Sequence, residues 1–246
     1  MPYLMGGFPS LELSRDIGLA YADAGADLVE LGFPFSDPLA DGPVIHAAGT
    51  AALHAGARFD DVLAVAQALA DRVPVVAMCY ANPIVVRGIE RAADALADAG
   101  CSGLIVPDLP LEEAGEVRAA CEERGLALVP LVAPTTPDQR IALIGSLARG
   151  FLYAVSLTGT TGERTAVHDR LAGLVRRAAA HTDVPVAVGF GISTPEHAAA
   201  AAAAGADGVI VGSRLVRAAG EAPDPVAATA ELVREFAQAL AEPAVH

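Results

Sequence analysis

The chain has 246 residues, and its 16 Lys+Arg stand against 30 Asp+Glu for a net charge of −14; every one of those cations is arginine, because the sequence has no lysine. The missing lysine excludes Schiff-base chemistry of the class I aldolase kind and chain-bound pyridoxal phosphate, as well as a lysine-bearing phosphate loop for a nucleotide. The acidic balance argues against a nucleic-acid or anionic-membrane surface, which needs a basic footprint, and a length of about 250 residues suits one α/β barrel or two small domains.

In chain order, residues 2–5 read as a short apolar strand, with no basic segment ahead of them to suggest a signal peptide. A helix follows over 11–24 and stops at Gly25, and Ala24-Gly25-Ala26-Asp27-Leu28-Val29-Glu30-Leu31-Gly32 then forms a β-branched run. This unit recurs as Ala99-Gly100-Cys101-Ser102-Gly103-Leu104-Ile105-Val106-Pro107 and as Ala204-Gly205-Ala206-Asp207-Gly208-Val209-Ile210-Val211-Gly212. Each copy is an alanine-rich helix, a glycine stop and a strand buried on both faces. Further strands are expected over 73–79, 127–132, 151–156 and 184–189, which makes eight. Helices are expected over 59–71, 88–99, 111–124, 137–148, 168–181, 195–204 and 226–240, with Thr136 and Ser193-Thr194 as start signals. Strands alternating with helices imply parallel pairing through right-handed crossovers. Eight such units predict a (β/α)8 TIM barrel, a single α/β domain over residues 1–246, with its active site at the C-terminal ends of the strands.

Aligning the copies exposes one anomaly: Glu30 occupies the position of Ile105 and Ile210. A carboxylate there loses hydration and favours its neutral form, so it is either half of a buried ion pair with an arginine or a general acid/base with a tunable pKa. The loop after it, residues 32–43, holds three prolines and two glycines and is therefore stiff; it carries Asp37 and Asp41, as turn caps or as functional groups. Gly189-Phe190-Gly191 after one strand, and Gly212-Ser213 opening a short helix over 214–219, suit a phosphate held by backbone N–H groups at a helix N-terminus, with Gly162 as a further glycine after the preceding strand. Residues 156–162 read as a hydroxyl-rich lid or as an ordinary surface loop. The cysteines at 79, 101 and 121 match no zinc or redox spacing, a reducing cytoplasm is their simplest home, and the histidines at 46 and 54 read as helix-surface residues rather than metal ligands.

The run Glu-Leu-Gly-Phe-Pro-Phe-Ser-Asp-Pro-Leu-Ala-Asp-Gly-Pro, from Glu30 to Pro43, closely resembles the signature of the tryptophan synthase alpha chain family. Tyr80-Ala81-Asn82-Pro83, Val106-Pro107-Asp108-Leu109-Pro110, Pro130-Leu131-Val132-Ala133-Pro134 and Gly189-Phe190-Gly191-Ile192 resemble that family's later segments in the same order. The resemblance implies retro-aldol cleavage of indole-3-glycerol phosphate to indole and glyceraldehyde 3-phosphate, with Glu30 and Asp41 as catalytic carboxylates and Tyr153 as an active-site tyrosine. It implies an indole slot lined by Tyr3, Ile105, Leu131, Phe190 and Ile210, phosphate contacts from Gly162, Gly191, Gly212 and Ser213, and a lid whose Thr161 reaches Asp41. It also implies a cytoplasmic alpha2beta2 heterotetramer with a beta chain that carries the pyridoxal phosphate, so that this chain holds no cofactor and no metal. Partner contacts are expected from residues 34–38, 80–83 and 108–110. The family has a helix ahead of its first strand, which is missing here: either the start lies upstream or the barrel bottom is less covered. Rival readings are a stand-alone lyase of the same fold, a non-catalytic activator of the beta chain, and a sister phosphate-binding barrel acting on phosphosugars.

Overall fold

The computed structural model describes residues 1–155, 164–189 and 191–241, and of residues 164–170 the backbone only. Strands β1 (Tyr3–Met5), β2 (Val29–Gly32), β3 (Val75–Met78), β4 (Gly103–Ile105) and β5 (Ala127–Val129) form one sheet in that order, and β6 (Leu131–Val132), β7 (Leu152–Val155), β8 (Val186–Gly189) and β9 (Gly208–Val209) form another. The helices are α1 (Leu11–Asp23), α2 (Pro43–His54), α3 (Phe59–Ala70), α4 (Ala81–Arg87), α5 (Ile89–Asp98), α6 (Gly115–Glu123), α7 (Asp138–Leu147), α8 (Arg164–Ala179), α9 (Pro195–Ala203), α10 (Ser213–Glu221) and α11 (Pro225–Ala241). The chain divides into two compact units, Met1–Leu128 with Gly212–Arg234, and Val129–Val211 with Glu235–His246.

Four local differences from the sequence reading have physical causes. The strand expected over 127–132 is broken at Pro130, which has no N–H to give to a ladder; its carbonyl accepts from Tyr153 N–H at 3.0 Å. The helix expected from residue 111 starts at Gly115, because two turns come first, closed by Glu113 N–H to Pro110 O at 3.0 Å and Ala114 N–H to Leu111 O at 3.3 Å. Thr136 does not cap α7: its hydroxyl accepts instead from Ala133 N–H at 2.9 Å, and Pro137 stands at the N-cap. Helix α4 forms where no helix is expected from the sequence, being too short at seven residues to show a hydrophobic period; α2, the helix implied by the surface reading of His46 and His54, opens with Pro43 at its first position, where proline costs no hydrogen bond.

The first unit shows how register sorts side chains. The pairs Tyr3↔Glu30↔Val76↔Gly103 and Met5↔Gly32↔Met78↔Ile105 run straight across the parallel ladders, so with a two-residue side-chain period these residues share one face. The opposite face is Leu4, Val29, Leu31, Val75, Ala77 and Leu104, all fully buried. Leu4 and Leu69 of α3 meet at Gly18 of α1, where an added Cβ would lie 3.1 Å and 2.7 Å from them. That face is apolar throughout because helices cover it, and each fully buried Val or Leu contributes about 1.5–3 kcal/mol. The second unit repeats the logic: Leu131↔Tyr153↔Ala187↔Gly208 share a face, and Ile210, two residues beyond Gly208, falls on it too. Chain ends are tied locally, as where Ser10 caps α1 by accepting from Leu13 N–H at 3.1 Å.

Candidate active site

Glu30 stands near the C-terminal end of β2, 3% exposed, on the face it shares with Tyr3 and Ile105. Its Oε2 is buried with no hydrogen-bond partner among the described residues. Burial pushes its pKa from an ordinary 4.5 up to about 8; the positive amino terminus opposes the shift and the charge of Asp41 adds to it. The expected alternative of a buried arginine partner is not realised among the described residues at that oxygen. A protonated carboxyl in a dry, strand-end position is ready to donate first and accept later.

The loop after β2 is anchored rather than slack. Phe33 N–H donates to Met78 O at 2.8 Å, and Asp41 N–H closes a turn on Pro38 O at 3.3 Å. The Asp41 carboxylate accepts from the Tyr80 hydroxyl at 2.9 Å, and the same hydroxyl accepts from Ala40 N–H at 3.0 Å. The Phe35 ring stacks on Tyr80 with centroids 5.2 Å apart. Burial raises the Asp41 pKa, while the Tyr80 hydrogen bond and the nearby His46 hold it down. Asp37 is solvent-exposed and, among the described residues, accepts from its neighbour Ser36 at 2.5 Å, so of the two loop aspartates it is Asp41 that is held against Tyr80.

Tyr80, expected from the sequence only as part of a partner-contact stretch over 80–83, is the residue that the structure places on the Asp41 carboxylate. His46 and His54 sit on the exposed side of α2 as expected, and His46 lies near enough to Asp41 to hold its pKa down.

Tyr3 is 3% exposed, and its phenol lies across Gly32: a Cβ built there would meet the Tyr3 oxygen at 2.0 Å. Ile105 is 1% exposed, and its carbonyl accepts from Cys79 N–H at 3.0 Å. Gly212 caps α10, with Ser213 as the first residue of that helix, and the Gly212 backbone approaches Tyr3 and Ile45. The first unit thus brings Glu30, Asp41, Tyr80 and Tyr3 close to one another, and sets the start of α10 beside Tyr3.

In the second unit, Leu131 pairs with Tyr153, whose phenol lies across Gly189 as Tyr3 lies across Gly32. Ile210 is buried, and its N–H donates to Val188 O at 2.7 Å. Gly191 has φ of 81°, a left-handed conformation that glycine adopts without strain. Thr161, Gly162 and Phe190, with the expected lid, lie outside the described residues. Among the described residues no cluster of His, Cys, Asp or Glu is placed to hold a metal, and no helix is long and apolar enough to cross a membrane.

A family model described as tryptophan synthase alpha chain matches residues 1–245. The chain belongs to the tryptophan synthase alpha chain family. It is 49% identical to the tryptophan synthase alpha chain of Synechococcus elongatus over 242 residues, 98% of this chain and 90% of that one. Among solved structures, a chain of Mycobacterium tuberculosis tryptophan synthase superposes with a TM-score of 0.90 at 39% identity, covering 98% of this chain and 92% of the other. An Aquifex aeolicus chain gives the same TM-score at 40% identity and the same coverage. The fold class is accordingly the parallel α/β class of this family's (β/α)8 barrels, as the alternation of elements predicted. As an alpha chain of this family it is a lyase.

Proposed function

We propose that this chain cleaves indole-3-glycerol phosphate to indole and glyceraldehyde 3-phosphate, with Glu30 as the acid and base and Asp41 as the electrostatic partner. The observation that carries the reading is the unpartnered, buried Oε2 of Glu30 on the strand face beside a second carboxylate held by Tyr80. Protonated at neutral pH, Glu30 gives its proton to C3 of the indole ring. It then takes the proton of the glycerol hydroxyl as the carbon–carbon bond breaks and the aldehyde forms, so the carboxyl ends as it began. The cation that develops on the ring is offset by the Asp41 carboxylate next to the ring N–H. The two carboxylates divide the work because their environments differ: Glu30 is fully buried, whereas Asp41 receives a hydrogen bond and faces a histidine.

The family resemblance assigns Tyr3, Ile105, Leu131, Phe190 and Ile210 to the indole slot and adds Tyr153 and Thr161 to the site; Thr161 and Phe190 lie outside the described residues. The same resemblance assigns the phosphate to N–H groups of Gly162, Gly191, Gly212 and Ser213, and the start of α10 offers the favourable end of a helix dipole. A family of this name works with a beta chain. We place this chain in a cytoplasmic alpha2beta2 assembly in which the beta chain carries the pyridoxal phosphate and consumes the indole; the absence of lysine here agrees with an aldimine held elsewhere. The test is incubation of the purified chain with indole-3-glycerol phosphate, with and without the beta chain. Indole release that depends on Glu30 and rises with the partner supports the reading, and wild-type release by Glu30→Gln refutes it. Copious indole without any beta chain points to a stand-alone lyase instead.

A further inference from the structure

We infer that Tyr80 is a positioning residue for Asp41, tying the carboxylate, the backbone before it and the aromatic side of its loop to the root of α4. The inference rests on the reading of Asp41 given above. A phenol has one proton to donate and lone pairs to accept with; here the proton goes to Asp41 Oδ1 at 2.9 Å, and the oxygen accepts from Ala40 N–H at 3.0 Å. Occupying Oδ1 leaves the other carboxylate oxygen to receive the ring N–H of the substrate.

The tyrosine itself stands on firm ground. It is 2% exposed and stacked against Phe35. Its neighbours in the chain are held across the sheet, Cys79 N–H by Ile105 O at 3.0 Å and Ala81 N–H by the Asp108 carboxylate at 2.8 Å. Within the loop, Asp41 N–H makes a 3.3 Å turn bond to Pro38 O, which holds its backbone and does not set the direction of its side chain. The titratable groups near this pair are Glu30 of β2, His46 of α2 and Asp108 after β4. A carboxylate that must meet a ring N–H in one direction gains rate from such a clamp, since a misplacement on the order of 1 Å costs about 100-fold.

Tyr80→Phe keeps the ring and its stacking and removes both hydrogen bonds. Indole release by the isolated full chain is expected to fall about 10- to 100-fold in kcat, with a much smaller change in KM. The acid limb of the kcat profile moves to higher pH, because the lost phenol O–H favoured the ionised carboxylate. In an Asp41→Asn background the same change is expected to add less than about twofold, as for two residues acting through one contact. A Tyr80→Phe enzyme with wild-type kcat and acid limb overturns the inference, and so does an equal loss in both backgrounds, which marks a merely structural role. If Asp41→Asn itself keeps full activity, the failure lies in the reading of Asp41. Should Tyr80→Phe not fold, a fluorotyrosine at position 80 keeps both bonds with a stronger donor; the acid limb then moves to lower pH, and an unmoved limb overturns the inference.

Discussion

Two strand pairs, one in each unit, carry the same packing device and differ in what they do with it. Tyr3 of β1 lies across Gly32 of β2, and Tyr153 of β7 lies across Gly189 of β8; in each case the residue paired with the tyrosine is two positions before the glycine. In the first pair that residue is Glu30, in the second it is Ala187. Both are buried, at 3% and 0% exposed. The aromatic-over-glycine arrangement is therefore a scaffold and not itself a sign of chemistry. What sets the first pair apart is a carboxyl in the dry position and, after the strand, a stiff loop that brings a second carboxylate held by Tyr80. The segment after β8 begins instead with Phe190, Gly191 and Ile192, which suits backbone contact with an anion.

The sharpest way to break this comparison is Glu30→Gln, which keeps the shape and removes the proton. Indole release is expected to fall about 100- to 10,000-fold, the usual share of a general acid/base, with the far-UV circular dichroism spectrum unchanged. Next comes the reciprocal change, Ala187→Glu. It puts an oversized, unpaired carboxyl on a packed strand and is expected to destabilise the chain by about 3–5 kcal/mol, read by urea unfolding. It restores nothing in a Glu30→Gln background, because no counterpart of Asp41 and Tyr80 follows β8.

Smaller effects come from the glycines. Gly32→Ala and Gly189→Ala each drive a methyl into a tyrosine, with Oη at 2.0 Å and 2.3 Å respectively, and are expected to cost about 1–3 kcal/mol each. Gly32→Ala is expected to lower kcat more than Gly189→Ala does, because it displaces Tyr3 next to Glu30. Pairing each with Tyr3→Ala or Tyr153→Ala recovers stability relative to simple addition of the two losses.

A further test is in pH dependence. The folded state holds the Glu30 proton up to about pH 8, while the unfolded chain releases it near 4.5. The folded state binds the extra proton between those values, so this residue's contribution is fully present below about 4.5 and is lost as pH rises through 8. Unfolding free energies measured across that range should fall more steeply for wild type than for Glu30→Gln. The basic limb of kcat/KM should lie near pH 8, reporting the same proton. Parallel slopes for the two proteins would place the titration elsewhere.

Much of this was readable in the residues. The strands were marked by glycine stops and β-branched runs repeated along the chain, and Glu30 stood out once the copies were aligned on Ile105 and Ile210. Tyr80 did not stand out, because its importance lies in a hydrogen bond to a residue 39 positions away, and only the crossover from β2 to β3 makes the two neighbours. Helix α4, seven residues long with Pro83 inside it, is too short for a hydrophobic period to show. Pro130 was visible but was read through, because apolar residues continue on both sides of it.

By itself, the sequence determined the alternation of parallel strands and helices, the carboxylate in a strand position, the stiff loop with its aspartates, and the exclusion of lysine chemistry. These are local properties of residue type and period, and local physics sets them. Only the tertiary structure decided that Glu30 is dry and, among the described residues, unpartnered at Oε2, that Asp41 rather than Asp37 is held inward, and that a tyrosine from the next strand's end holds it. Desolvation and hydrogen-bond direction depend on which chain segments are packed together, and no window along the chain contains that information.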